Sequence, residues 1–307
     1  MENYDLPALH IAGWAHLFIT ATFNSYKIAC HHTTQPQKLL IAPWQHIPWS
    51  QKVGEVDFGI KAISRVDQLQ IDWFDFWLKG VDNGIVSPLQ QFFLMGKNEW
   101  IDREVTQEKE AIPIKFYLNS DKKLDILPPS SDSPPDIYVY DPRNPTPSSA
   151  YGQYDQCAIG QRWDILVYQG ETLTEDLSII GVPKFQLFAA TSATDTDWVI
   201  KLLDIYPDGK QMLISMGVIR AKFRNSFSQA EFLEPDRVYE YQISLRPTAH
   251  CFLAGHRLGI AIASAAFPLI ERHGNIEKSP HQTLVSEFVE ATQRIYFSAK
   301  YPSCLYI

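Results

Sequence analysis

Residues 38–46 read KLLIAPWQH, and this stretch decides the class of the fold. The apolar run at residues 39–42 is typical of a short buried strand. Pro43 ends the strand because proline has no N–H to donate to a sheet, and His46 follows three residues later. Open α/β sheets place ligands and catalytic groups at the carboxyl ends of their strands. The stretch therefore predicts an α/β sheet with a histidine at its functional edge.

A second strand-like run covers residues 8–12 and stops at Gly13 and Trp14, with His16 close behind. Apolar side chains at helical spacing in residues 17–29 predict the crossover helix that joins two parallel strands. A histidine therefore stands in the loop after each of the two predicted strands. Whether the two histidines form a working site is left open by the sequence.

A longer helix is predicted from residue 66 by an apolar stripe at helical spacing. Lys79 occupies its last turn and Gly80 is the expected C-cap. Core packing explains such a stripe better than a ligand groove does. The stripe consists of Val66, Leu69, Trp73, Phe74, Trp77 and Leu78.

Residues 1–80 thus predict strand, helix, strand, loop and helix, which is the order at the end of a larger α/β domain. Two strands cannot form a covered parallel sheet alone. We therefore expect that part of the sheet is missing on the amino-terminal side.

The pattern changes after about residue 85. A strand at residues 89–95, a turn at 96–100 and a charged connector at 102–110 lead into many short β-type runs. The 20 prolines and 13% aromatic residues fit such a region, which is typical of a β-sandwich or jelly roll. The Pro-, Ser- and Asp-rich residues 128–147 predict a long surface excursion.

Composition excludes several classes of function. The net charge of −8 argues against a nucleic-acid surface. No run approaches the ~20 apolar residues of a membrane span, so we expect a soluble, cytoplasmic protein without a membrane partner. The four cysteines show no CxxC pairing and indicate reduced thiols; they are Cys30, Cys157, Cys251 and Cys304.

Several histidines and aspartates suggest metal or calcium sites, but simpler interpretations are favoured. No carboxylate or cysteine stands at ligand spacing from the early histidines, so the sequence predicts neither a metal nor a cofactor. His256 is interpreted as a structural residue of the sandwich. Asp195 and Asp197 are interpreted as a turn-forming pair. The early histidines are His10, His16, His31, His32 and His46.

Ten short motifs, in this order and spacing, resemble the carboxyl-terminal half of the CocE/NonD hydrolases, the cocaine esterase, α-amino-acid ester hydrolase and X-Pro dipeptidyl-peptidase type. The resemblance extends over nearly all 307 residues. The motifs are LPALHIAGW (6–14), LLIAPWQH (39–46), VDFG (56–59), WFDFWLKG (73–80), MGKNEW (95–100), YDP (140–142), RWDILVY (162–168), ATDTDW (193–198), PDG (207–209) and AGHRLGIAIASAAFP (254–268).

This resemblance implies a fold and an activity. It implies that residues 1–110 are the carboxyl-terminal part of an α/β-hydrolase domain and that residues 111–307 form a jelly-roll, galactose-binding-like β-sandwich. It also implies a Ser-His-Asp triad that cleaves acyl ester or amide bonds.

The triad implied by the resemblance is incomplete in this chain. His46 matches the catalytic histidine, but His16 occupies the place of the acid, and no Gly-x-Ser-x-Gly pentapeptide occurs. Loss of the acid alone costs ~10⁴ in kcat in the serine-protease template. Without a serine we expect no hydrolysis by the family mechanism.

Three hypotheses remain open. The chain is the carboxyl-terminal portion of a serine hydrolase whose amino half is a separate polypeptide, a catalytically inactive remnant, or a repurposed jelly-roll binding module. The first predicts docking of that amino-terminal fragment, or self-association, through an exposed sheet edge, and a small acyl ester or amide as substrate of the complemented protein.

Overall fold

The computed structural model of the chain describes residues 5–47, 49–87, 89–103, 113–130, 132–148 and 150–307. Most of the predicted connector at 102–110 lies outside these ranges. The described chain is mostly β, and none of its helices is long and apolar enough to span a membrane.

The first third of the chain forms a four-stranded sheet with two long helices. The strand order is β1-β2-β5-β6, in which β1, β2 and β5 are parallel and β6 is antiparallel to β5. Both predicted strands and both predicted helices are confirmed. The elements are β1 (Ala8–Gly13), α1 (Ile19–His32), β2 (Gln37–Ala42), β3 (Lys52–Val53), β4 (Val56–Asp57), α2 (Val66–Lys79), β5 (Gln90–Leu94) and β6 (Glu99–Arg103).

Burial differs sharply between the two neighbouring strands β1 and β2. All six residues of β2 are buried because β2 lies between β1 and β5. Strand β1 is the edge of the sheet among the described residues, and its first four residues are only partly buried. The apolar pattern of β1 is that of an interior strand, whereas its position is that of an edge.

Helix α2 ends as predicted but does not pack as predicted. Gly80 adopts the left-handed conformation (φ 71°) that a C-cap glycine provides. Val66 and Trp73 are buried, whereas Phe74 and Leu78 are 56% and 77% exposed. The core interpretation of the stripe is therefore wrong for Phe74 and Leu78, because the face that carries them has no partner within the described chain.

The rest of the chain is built from short strands. Within the described residues its α-helix is the single turn α3 (Cys157–Gly160), and short 3₁₀ turns supply the other helical residues. The strands are β7 (Lys115–Asn119), β8 (Lys123–Asp125), β9 (Asp136–Tyr140), β10 (Pro147–Ser148), β11 (Leu166–Gln169), β12 (Leu177–Gly181), β13 (Lys184–Thr191), β14 (Asp197–Ile205), β15 (Gln211–Arg220), β16 (Tyr239–Ser244), β17 (Thr248–Phe252), β18 (Arg257–Ala263), β19 (Phe267–Pro268), β20 (Ala291–Tyr296) and β21 (Cys304–Tyr306).

These strands form one large hydrogen-bonded body. Its main path runs β15-β14-β18-β11-β8-β7-β21-β13-β20-β9, with β16 paired to β13. Strands β12 and β17 pair antiparallel beside it, and β10 pairs with β19. The predicted excursion at residues 128–147 contains β9, so that part of the excursion belongs to the sheet.

Strand β14 lies between β15 and β18, and all nine of its residues are buried. Three of them are ionisable: Asp197, Lys201 and Asp204. Lys201 donates from Nζ to Gln156 Oε1 at 2.8 Å. Asp204 accepts from His250 Nε2 at 2.9 Å and from His256 Nδ1 at 2.8 Å. The structural interpretation of His256 agrees with this contact.

The acidic pair Asp195 and Asp197, at the start of β14, is used in ion pairs. Asp197 accepts from Arg220 Nε at 2.9 Å. Asp195 lies 3.4 Å from Lys222 Nζ and 3.0 Å from His273 Nε2. Both carboxylates therefore face cationic or N–H donor groups of the protein, which leaves the calcium interpretation without support.

The four-stranded sheet is joined to the β-rich body by backbone hydrogen bonds. Met95, directly after β5, donates to the Ala249 carbonyl at 3.1 Å and accepts from the Cys251 N–H at 2.9 Å. Both partners lie in β17. The chain thus extends β5 alongside a strand of the other body.

Candidate active site

The ends of β1 and β2 are held in register by the backbone. Gly13 pairs with Ala42, and the next residue, Trp14, donates its N–H to the Ala42 carbonyl at 2.7 Å. Ala15 then donates to the Trp44 carbonyl at 3.1 Å. A Cβ atom at Gly13 would overlap that carbonyl oxygen, so glycine is required for this approach.

This register brings the two sequence-predicted residues together. His16 Nε2 and His46 Nδ1 are hydrogen-bonded, and the ring centroids are 4.5 Å apart. His16 is buried and His46 is exposed. Phe18 packs edge-on against both rings, at 5.5 Å from His16 and 6.3 Å from His46.

The hydrogen bonds around the pair assign its neutral tautomers. Phe18 donates its backbone N–H to His16 Nδ1 at 3.3 Å, so the ring proton of His16 is on Nε2. His16 Nε2–H then donates to His46 Nδ1, which leaves the ring proton of His46 on its outward Nε2. A general base needs a free lone pair at that outward nitrogen. The neutral pair therefore presents a donor, and not a lone pair, at the outward nitrogen of His46.

The surroundings keep His16 uncharged. Burial lowers its pKa, and the neighbouring His46 and Arg246 lower it further. Arg246 lies in the connection between β16 and β17 and donates from Nη2 to the His16 carbonyl oxygen. A positive group of the β-rich body thus reaches the loop that carries His16.

The rim around the pair is apolar and open. Leu17, Phe18 and Ile47 are 58%, 55% and 75% exposed. All three flank one of the two histidines in sequence.

The other early histidines do not join the pair. His10 contacts Gln37 at 3.1 Å and packs against Tyr26. His31 and His32 lie in the last turn of α1, near the start of β2. Among the described residues there is no group of three or more side chains suited to hold a metal ion.

Sequence reasoning missed Arg246, which is 230 residues from His16 along the chain. No local pattern marks it: the segment LRPTAHCF gives only the short strand β17. Its contact with the site depends on how the two bodies are joined.

Comparison with known proteins identifies the chain's relatives. The family model described as the X-Pro dipeptidyl-peptidase C-terminal non-catalytic domain matches residues 84–306. Cocaine esterase from Rhodococcus sp. (strain MB1 Bresler) is 28% identical over 97% of this chain.

Solved structures identify relatives of the same kind. An aminopeptidase from the marine sediment archaeon Thaumarchaeota archaeon superposes with a TM-score of 0.88 at 28% identity over 98% of this chain. An α-amino acid ester hydrolase superposes with a TM-score of 0.85 at 25% identity over 98%. The relatives are thus hydrolases of the esterase and aminopeptidase type.

The chain spans about half the length of these relatives. It covers 55% of the cocaine esterase, 54% of the aminopeptidase chain and 55% of the ester hydrolase chain. The resemblance to the CocE/NonD type is therefore confirmed for a region that corresponds to one half of the longer enzymes.

Proposed function

The chain belongs to the family of the X-Pro dipeptidyl-peptidase C-terminal non-catalytic domain, and from this membership we propose that it is the carboxyl-terminal portion of a serine hydrolase acting on acyl ester or amide bonds. Under this proposal residues 1–110 are the end of an α/β-hydrolase domain and residues 111–307 are a jelly-roll domain. The parallel order β1-β2-β5 and the many short strands after residue 113 support this division.

The contact between His16 and His46 at the ends of adjacent parallel strands carries the proposal. Under it, His46 descends from the catalytic base and His16 stands in the place of the triad acid. In a complete triad a carboxylate accepts Nδ1–H of the base and stabilises the imidazolium of the transition state. His16 supplies no negative charge and, as a donor to Nδ1, favours the opposite tautomer of His46.

The nucleophile is the second missing element. No Gly-x-Ser-x-Gly pentapeptide occurs in these 307 residues, so the covalent route of such hydrolases has no serine here. The chain's own residues supply a base position, an apolar rim and a partner for the base.

We expect that the purified chain does not hydrolyse a p-nitrophenyl acyl ester above the buffer background, because nucleophile and acid are both absent. The rate is measured by p-nitrophenolate absorbance for the wild type and for His46→Ala, and the two should be equal. Turnover that disappears in His46→Ala would mean that another nucleophile is at work and would overturn the account of the missing serine.

The variant His16→Asp distinguishes the effect of the missing acid from the effect of the missing serine. His16→Asp restores a carboxylate beside His46 but no serine, so it should also remain at background. Activity gained by His16→Asp would show that the acid was the only deficiency.

We further propose that the open edge of β1 is the docking edge for the complementary hydrolase portion, supplied by a separate polypeptide, or for a second copy of this chain. Ala8 and Trp14 both donate their N–H groups toward β2. Because successive residues of a strand alternate, the N–H groups of Leu9 and Ile11 point away from β2. Unpaired edge groups of this kind are templates for another strand.

Sedimentation of the purified chain over a range of concentrations tests the edge. We expect association that is weakened by Leu9→Pro, since proline removes an N–H that makes no bond to β2. Leu9→Ala trims the same side chain, keeps the N–H and is the matched control. A monodisperse monomer at high concentration, or equal association of both variants, would contradict the proposal.

A catalytically inactive remnant is the second candidate. The observation in its favour is the tautomer of the histidine pair, which is wrong for a base even when a serine is brought close. Complementation by the missing portion would still give no activity in that case unless His16 were changed to Asp.

A further inference from the structure

The half-buried guanidinium of Arg246 lies at the junction of the two bodies, without a carboxylate partner among the described residues. The Cζ atom of Arg246 is 3.4 Å from the centre of the Tyr151 ring, and Nη2 donates to the His16 carbonyl. The Nη1 atom is buried and has no hydrogen-bond partner within the part of the chain that is described. Burial lowers the pKa of Arg246, and Tyr151 offsets part of this effect.

Such an arrangement is costly for a protein on its own. Buried charges in proteins are normally paired or fully hydrogen-bonded, and each buried polar atom without a partner calls for an explanation, such as an ion. The ring of Tyr151 offsets part of the charge through its π-face.

A small cavity adjoins this guanidinium. It measures about 20 Å³ and its wall includes Arg246, Tyr151, Gln153 and Ser215 from the β-rich body. Trp14 and Ala15 close it from the loop before His16. A cavity above about 10–15 Å³ holds one water-sized particle.

The other polar side chains of the wall already have partners. Gln153 is 4% exposed, and its Nε2 lies 3.6 Å from Met95 Sδ and 3.5 Å from His250 Nδ1. The Ser215 hydroxyl is already committed as a donor to the Arg246 carbonyl at 2.7 Å. No aspartate or glutamate belongs to the wall.

We propose that this cavity is a binding site for one small monovalent anion, held by Nη1 of Arg246 between the two bodies. The ligand class follows from the single positive group, the lack of acidic residues in the wall and the small volume. Chloride and formate fit this description, whereas sulfate is too large and carries two charges. The bound anion compensates the guanidinium and stabilises the junction beside His16.

Thermal unfolding of the full chain tests the site in solution. At equal ionic strength, sodium chloride or sodium formate should raise Tm by about 3 °C over sodium gluconate, because a ligand bound only by the folded state stabilises it. Arg246→Met should abolish the shift. Arg65→Met is the matched control, since Arg65 also stacks on an aromatic ring, that of Trp100 at 5.3 Å, but is exposed.

Crystals of the wild type grown with sodium bromide provide a test that does not depend on the stability of a variant. We expect an anomalous peak in the cavity next to Arg246 Nη1. A water molecule there without anomalous signal would overturn the proposal. So would a salt shift that persists in Arg246→Met, or a shift given by sulfate alone.

Discussion

Replacing Asp204 by alanine should lower the free energy of unfolding by about 3–5 kcal/mol, the cost of removing one partner from a buried charged contact. Asp204 is 1% exposed and receives one hydrogen bond each from His250 and His256. His250 is also 1% exposed. In the variant its Nε2–H loses its acceptor in a place that water does not reach. Urea unfolding followed by tryptophan fluorescence measures the change.

Asp208→Ala is the matched control for this experiment. Asp208 lies four residues further on, in an exposed turn, where it pairs with Lys210 at 3.7 Å. A surface change of this kind stays within about 0.5 kcal/mol. Equal unfolding midpoints for the two variants would refute the role assigned to Asp204.

The contribution of Lys201 to stability should rise as the pH is raised through the alkaline range, because Lys201 is buried as a potential cation. Lys201 is 3% exposed, and burial lowers its pKa to about 8. The unfolded chain keeps the ordinary lysine pKa of about 10.4. Between these values the unfolded state binds more protons, so the free energy of unfolding increases with pH. The gain from pH 8 to 9.5 is roughly 2 kcal/mol.

Lys201→Met removes this dependence and identifies its source. Unfolding free energies are measured by urea titration at several pH values from 7 to 9.5 for the wild type, for Lys201→Met and for Lys210→Met, which changes an exposed lysine. The wild-type and Lys210→Met curves should run parallel, and both should gain stability relative to the Lys201→Met curve as the pH rises. Three parallel curves would show that Lys201 is not the titrating group.

Local pattern was sufficient for the elements that build the candidate site. A short apolar run ended by Pro43 gave β2, and the run ended by Gly13 gave β1. Helical spacing together with Gly80 gave α2 and its end. His16 and His46 follow strands that are neighbours in the sheet, so their meeting follows from parallel topology. The family resemblance rested on ordered motifs and is confirmed by the family match over 84–306.

What escaped prediction depends on contacts between distant segments. Phe74 and Leu78 share the helical pattern of buried Trp73, and only tertiary packing decides which face of α2 is covered. Lys201 is a charged residue within the otherwise apolar run 199–203, yet its side chain is buried with that run. Arg246 reaches His16 because β17 is attached to the end of β5.

The tautomers of His16 and His46 also depend on contacts that the sequence does not show. The family resemblance implies that a histidine stands in the place of a carboxylate. It does not show that the Phe18 N–H binds Nδ1 of His16 and thereby fixes the proton of His46 on its outward nitrogen. The position of this proton distinguishes a histidine that is only a weaker base from a histidine whose outward nitrogen is a hydrogen-bond donor.

The two bonds of Met95 also affect how the molecule comes apart. Its N–H and C=O are both committed to β17, one to Ala249 and one to Cys251. These bonds join the sheet that carries His46 to the strand that carries His250. The two bodies cannot separate without breaking these two backbone bonds. We therefore expect an opening of the histidine pair that moves β5 to be restrained by the attachment of β5 to β17.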